Sequence, residues 1–183
     1  MKKTILMAIV LGAVGVAGTV SAAEQASATF TWSGTVPMGP TSNGFIIKDS
    51  VGNDIQRGSL LFSVDAAGKG VLTGSSTLGF NVFDYTNEIV GAPVSSYSYQ
   101  LTSLTSVQIT KGGLQQEQDS QGYYAIMADG TKMEVNGLPT DKPEGGVTNL
   151  AVITSGVATP SNQPSAGDVV DVHARIVISN AVL

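Results

Sequence analysis

The chain carries one histidine, His173, and Asp171 lies two residues before it. In an extended segment that spacing puts both side chains on one face, where a hydroxyl from elsewhere would complete a Ser-His-Asp relay. Serines abound, but the sequence holds no Gly-x-Ser-x-Gly elbow to present one as a nucleophile. Residues at i and i+2 on a strand meet as solvated neighbours far more often than as catalytic partners. Asp49-Ser50-Val51-Gly52-Asn53-Asp54 has the acids of a calcium loop without the alternating ligands and closing Glu of an EF-hand. It reads as an acidic turn. Glu117 and Asp119 are paired carboxylates in a polar stretch with no apolar frame to raise a pKa. No glycine-rich loop opens a helix to cradle phosphate. With no cysteine there is no thiol nucleophile, disulfide, thiolate metal site or lipoprotein anchor. The expectation is a protein that is not an enzyme, with no catalytic residues, no metal and no cofactor.

The elements around these residues have a distinct chemistry. The 183 residues suffice for one domain with a substantial core. Hydrophobic residues make up 42% and charged residues 13%, the latter about half the usual share of a soluble protein. Ser and Thr together number 36, and Gly adds 22. Such a mixture is too apolar for a disordered chain and suits β-strands whose outer faces carry hydroxyls. A net charge of −5 and a pI near 4.6 argue against nucleic acid as a partner.

Residues 1–22 read as a signal peptide. Lys2 and Lys3 form a positive start, Thr4 to Gly18 an uncharged apolar run, and Val20-Ser21-Ala22 a signal peptidase site. Cleavage falls after Ala22 or Ala23. The run is short for a membrane span, and no basic stop-transfer cluster follows. Loss of the two lysines leaves 14 acids against 7 bases, a formal −7. The expectation is export through the inner membrane, and release or retention at the cell surface by other proteins.

The rest reads as β almost throughout. From Ala26 to Val36 the even positions are Ala26, Ala28, Phe30, Trp32, Gly34 and Val36, and every odd position is Ser or Thr. A period of two over eleven residues gives one apolar and one hydroxylated face. Pro37 and Pro40 end the segment, because neither can donate to a ladder. Near the other terminus Val170, Val172, Ala174, Ile176 and Ile178 share one face, and Asp171, His173 and Arg175 the other. Pro164-Ser165-Ala166-Gly167 supplies the turn before them. Between lie Leu60 to Val64 and Gly70 to Thr73 around the loop Asp65–Lys69. Tyr123 to Met127 and Lys132 to Val135 flank Asp129-Gly130, a hairpin signal. Val94 to Leu101, Leu104 to Thr110 and Val147 to Val157 are further strands, with weaker signals over Gly44 to Lys48 and Leu78 to Phe83. Gly112 to Gly122 and Pro139 to Gly146 read as surface loops. Tyr97, Tyr99, Tyr123 and Tyr124 read as packing residues, with a recognition face as the alternative. Short strands at regular intervals predict an all-β, immunoglobulin-like β-sandwich, with a barrel as the alternative.

Ala26–Val36 is open to two readings. It is either the first strand of its own sandwich, which periodicity alone favours, or a donor that completes a neighbour's sheet. A signal peptide, the short polar start Ala23-Glu24-Gln25, an alternating strand ending in Pro and then a sandwich follow in order. This resembles the major subunits of bacterial fimbriae assembled by the chaperone–usher pathway, of the cysteine-free colonisation-factor or coli-surface-antigen type. Thr29-Phe30-Thr31-Trp32-Ser33-Gly34-Thr35-Val36-Pro37 is similar to the start of such mature subunits, and Pro164-Ser165-Ala166-Gly167-Asp168 with its following strand resembles their closing strand. The resemblance covers about thirty residues at the two ends. The last residues, Asn180-Ala181-Val182-Leu183, depart from it in lacking a penultimate aromatic.

The resemblance implies a signal peptide over 1–22, an N-terminal donor strand over 23–37 and a pilin sandwich over 38–183 that lacks its last strand. Ala26, Ala28, Phe30, Trp32, Gly34 and Val36 would enter a neighbour's groove. Val170, Val172, Ala174, Ile176 and Ile178 would lie on the strand beside the subunit's own groove, facing the chaperone. Implied partners are other copies or related subunits, a periplasmic chaperone, an outer-membrane usher and a host receptor, in a fimbria that supports adhesion to host cells. The alternative is a self-contained secreted β-sandwich that binds a carbohydrate or protein ligand as a monomer, and a more distant one is a secreted hydrolase dependent on His173.

Overall fold

A computed structural model describes residues 44–119, 122–156, 159 and 161–183, all within one compact unit, Met38–Leu183. The leader and the alternating segment Ala26–Val36 lie outside the described residues. Among those residues there are twelve strands and no helix. They are β1 (Phe45–Lys48), β2 (Leu60–Val64), β3 (Gly70–Ser75), β4 (Leu78–Thr86), β5 (Ile89–Pro93) and β6 (Ser96–Ile109). β7 (Gln115–Gln118), β8 (Tyr124–Ala128), β9 (Thr131–Lys132), β10 (Thr140–Lys142), β11 (Thr148–Thr154) and β12 (Val169–Val182) follow.

Every ladder is antiparallel. One sheet runs β1-β4-β11-β8-β9, with β5 also on β4; the other runs β10-β6-β12, with β7 also on β6; β2 and β3 form a separate hairpin. The inner faces of the two larger sheets meet. Phe80 and Val82 of β4 and Ala128 of β8 pack with Tyr97 and Tyr99 of β6, while Leu101 and Leu104 of β6 pack with Ile126 of β8. The chain is thus all-β, with its core between two antiparallel sheets, as the strand spacing predicts.

The sequence divides β6 in two because its alternation changes phase. Tyr97, Tyr99 and Leu101 are buried, and then Leu104, Ser106 and Gln108 are. Arg175 pairs with Ser103 and Ile176 with Leu101, which leaves Thr102 unopposed. One extra residue on a strand is a β-bulge, and it moves the inward set from odd to even numbers without breaking the strand. β12 likewise runs past the expected end at Ile178. Asn180 adopts φ 52° in a second irregularity, and Val182 regains the ladder opposite Ser96.

Local turn chemistry explains the hairpins. Asp129 and Gly130 have φ of 46° and 85° between Ala128 and Thr131, as a tight two-residue turn requires. In the β2–β3 loop the Asp65 carboxylate accepts the amides of Ala67 and Lys69 at 2.9 and 2.8 Å. Two expectations need correction: the stretch read as a loop from Gly112 to Gly122 contains β7, and the one from Pro139 to Gly146 contains β10. Both strands are short, polar and mostly exposed, so no apolar alternation betrays them; the edge of β6 recruits them. β5 was likewise not signalled by the sequence; it follows a turn in which Asn87 and Glu88 both have positive φ.

The four tyrosines are core residues. Tyr97, Tyr99, Tyr123 and Tyr124 are each at most 4% exposed. Tyr97 donates to the Gly146 carbonyl at 2.7 Å, and its oxygen lies 2.7 Å from the hydroxyl of buried Thr148. Replacing Tyr97 by Phe leaves the Thr148 hydroxyl, at 0% exposure, without this partner in the interior. We expect a loss of about 1–3 kcal/mol in urea unfolding. Burial opposes ionisation of Asp129, but the Lys142 ammonium at 2.6 Å and the Asn149 amide outweigh it, so its carboxyl sits below its ordinary 3.8. A lowered folded pKa stabilises above the ordinary value and is lost as pH falls through the folded one. Asp129→Asn should therefore be less stable than the parent at neutral pH, with the gap closing as acid unfolding is followed below pH 3.8.

Candidate functional site

β12 is a fourteen-residue strand at the margin of its sheet. β6 is its sole ladder partner among the described residues, from Val169 opposite Ile109 to Val182 opposite Ser96. Its other backbone edge has no described strand beside it. β1 stands in the same position in the facing sheet, paired to β4 alone.

The side chains along these margins are apolar. On β12, Val170, Val172, Ile176 and Ile178 are half-buried, and Ala174, in phase between them, is exposed. Val172 and Ile176 pack on Leu101, Leu104 and Ile126. Ile176, Ile178 and Ala181 pack on the cluster of Phe80, Val82, Tyr97 and Tyr99, and Phe45 and Ile47 of β1 reach that cluster from the other sheet. The centre of the core is closed, with Val82 and Leu101 at 0% exposure. At the β12 margin it is covered only in part. All five residues expected on the groove-edge strand therefore share one strand and one face.

The β2–β3 hairpin adds to this margin. Its turn end is tied to the segment that leads into β12: the Gly70 amide donates to the Pro164 carbonyl at 2.7 Å, and the Ala166 amide donates to the Gly68 carbonyl at 2.9 Å. Phe62 of β2 is 37% exposed and meets Tyr124 edge-on, with ring centroids 6.5 Å apart. Leu61 and Val64 beside it are largely exposed. Sequence reasoning missed Phe45, Ile47, Phe62, Tyr124 and Ala181 as members of this region. The runs Phe45-Ile46-Ile47 and Leu60-Leu61-Phe62 are apolar without alternation, so no period assigns their faces.

The residues screened for catalysis are placed differently. Asp171 and His173 stand on the exposed outer face of β12, with Val107 and Thr105 as their ladder partners. Asp49 accepts the amides of Val51 and Asn53 at 2.9 and 2.8 Å, and these bonds lower its pKa. Asp54 pairs with Lys48 at 2.6 Å. Those carboxylates thus close a turn and an ion pair, as the reading of an acidic turn anticipated. Glu117 and Asp119 are exposed. Among the described residues no three potential ligands cluster as a metal site would require. The expected donor residues Ala26, Ala28, Phe30, Trp32, Gly34 and Val36 lie outside the described residues.

No family model, curated protein or solved structure matches this chain.

The two faces of β12 predict opposite responses to charge. Ile178→Lys places an ammonium against Phe80, Tyr97 and Tyr99 and should cost about 2 kcal/mol or more in urea unfolding. Val177→Lys, on the outward face at 39% exposure, should stay within about 0.5 kcal/mol of the parent.

Proposed function

We propose that this protein is a structural subunit of a cell-surface fimbria that polymerises head-to-tail by donating its N-terminal strand to the next copy. The observation that carries the reading is β12: a fourteen-residue strand at a sheet margin with a half-covered apolar face. The chain also carries, outside the described residues, a segment of complementary design. From Ala26 to Val36 one face is apolar and includes Phe30 and Trp32, and the other is entirely hydroxylated. An extended peptide added to such an edge gains main-chain hydrogen bonds and buries alternate side chains. Burying a Phe and a Trp alone contributes several kcal/mol at about 25 cal/mol per Å².

Head-to-tail addition uses two different surfaces on each copy, so it propagates instead of closing. A margin of this kind in a free subunit invites aggregation, which is the physical reason for a periplasmic chaperone and an outer-membrane usher. The leader-like residues 1–22, the scarcity of charge and the absence of cysteine suit an exported filament that supports adhesion to host cells. In this reading the protein has no catalytic role.

The test is thermal unfolding and oligomeric state with the first strand removed and returned. Residues 38–183 should unfold early or aggregate, and an excess of a synthetic peptide of residues 24–37 should restore a cooperative transition at least 10 °C higher, on the order expected for tight binding to the folded state alone. If mature chain 23–183 is monomeric and stable and the peptide changes nothing, the strand belongs to its own sandwich. The protein is then a self-contained secreted binding module.

A further inference from the structure

A turn residue opens β1. Gly44 has φ of 86°, and Asn43 precedes it. Asn-Gly is the pair favoured in two-residue hairpin turns, whose second residue takes such a φ. A turn of this kind sends the preceding residues back along the outer edge of β1. The register on that edge follows from the ladder on the other side. The Tyr85 amide donates to the Gly44 carbonyl at 2.6 Å, and Phe45 and Ile47 stand opposite Asp84 and Val82. Main-chain bonds alternate along an antiparallel pair, so Gly44, Ile46 and Lys48 turn their polar groups to β4. Phe45 and Ile47 turn theirs to the margin. A hairpin closed by Asn43-Gly44 would therefore have its rungs at Ser42–Phe45 and Pro40–Ile47.

The face is as well defined as the register. Phe45 and Ile47 pack on the cluster of Phe80, Val82, Tyr97 and Tyr99, and residues directly opposite on neighbouring strands share a face. Every even-numbered residue before the turn would then point toward the core, Phe30, Trp32 and Val36 among them. Alternation alone thus lets the segment close on its own subunit as well as on another. Donation needs something that opposes self-closure.

Two features of this edge do so. Proline has no N–H, so Pro40 cannot donate to the Ile47 carbonyl, and the second rung loses a bond. The next rung would call on the Asp49 amide, which already donates to the Asn53 carbonyl at 2.8 Å within its own turn. The edge of β1 then offers the returning chain one full rung, at Ser42. Resting on the strand-donation reading, we propose that Pro40 is a positioning residue that keeps the N-terminal strand from folding back along its own β1 and leaves it for the next copy. Its role is to discriminate between two acceptors of identical sequence, by weakening the wrong one. Pro40 lies outside the alternating segment Ala26–Val36, so it does this without altering the strand that is donated.

The test compares the mature chain, residues 23–183, with its Pro40→Thr variant, which restores an N–H and suits a strand. Both are refolded from urea at low concentration and followed by size exclusion as the concentration is raised. The variant should form head-to-tail oligomers about three- to tenfold more slowly, the bias that one ladder bond gives to self-closure. In its dilute monomer the new amide at position 40 should be protected in hydrogen exchange. Trp32, the sole tryptophan, should also be quenched less by acrylamide than in the parent. Pro37→Thr is the control: the register carries it beyond Lys48, where β1 ends, and it should behave as the parent. If the parent forms no oligomer at any concentration and does not bind a labelled peptide of residues 24–37, donation itself fails and the role of Pro40 with it. A parent that binds the peptide yet forms no oligomer overturns the role of Pro40 alone. If the parent oligomerises and the variant keeps pace, or its new amide exchanges freely, donation stands and Pro40 does not guard it. Equal slowing by both proline replacements also overturns the assignment, because stiffness of the linker and not a ladder bond is then responsible.

Discussion

A β-strand at a sheet margin presents a row of amides and carbonyls, and water satisfies them well so long as the flanking side chains are polar. Apolar side chains on the inner face change that balance, because every half-covered valine or isoleucine leaves surface in water that another strand would bury. β12 combines both conditions over fourteen residues. Its outward face follows the usual protective pattern, with Asp171, His173 and Arg175 in alternation. Its inward face, from Val170 to Ile178, does not. The strand is thus charged on its outward face and apolar on its inward one.

The remainder of the fold positions that strand. β6 is the spine of its sheet and pairs with β12 along nearly its whole length. The Thr102 bulge lets one strand serve two core clusters, tyrosine-rich at one end and leucine-rich at the other. Across the core, β4, β8 and β11 present Phe80, Val82, Ile126 and Leu150 against it. The ties between the β2–β3 hairpin and Pro164–Ala166 fix where β12 begins. These ties are main-chain hydrogen bonds, so the margin is held by backbone geometry more than by surface charge.

In the fimbrial reading, the same incompleteness that threatens a lone subunit becomes the joint of a polymer. The energy for assembly is then stored as uncovered apolar area, and exchange of one strand for another releases it without a cofactor. Recognition of the correct strand demands something more specific than hydrophobic match, since alternation alone fits many registers equally.

The sequence by itself determined the class of the fold and most of its strands. Period-two alternation, Asp-Gly turn chemistry and the absence of helical spacing are local, and local physics suffices to read them. The inward face of β12 was legible for the same reason, as was the packing role of the tyrosines. Tertiary structure decided what local chemistry leaves free. β7 and β10 have no apolar pattern and become strands because β6 offers unpaired edges to them. β6 is one strand because a bulge absorbs a phase change that looks like a break. Phe62 and Tyr124 meet although they stand 62 positions apart in the sequence, and only the folding of a hairpin onto the sandwich brings the two rings together. Such contacts depend on which edges find each other across long loops, a choice made by the whole core at once.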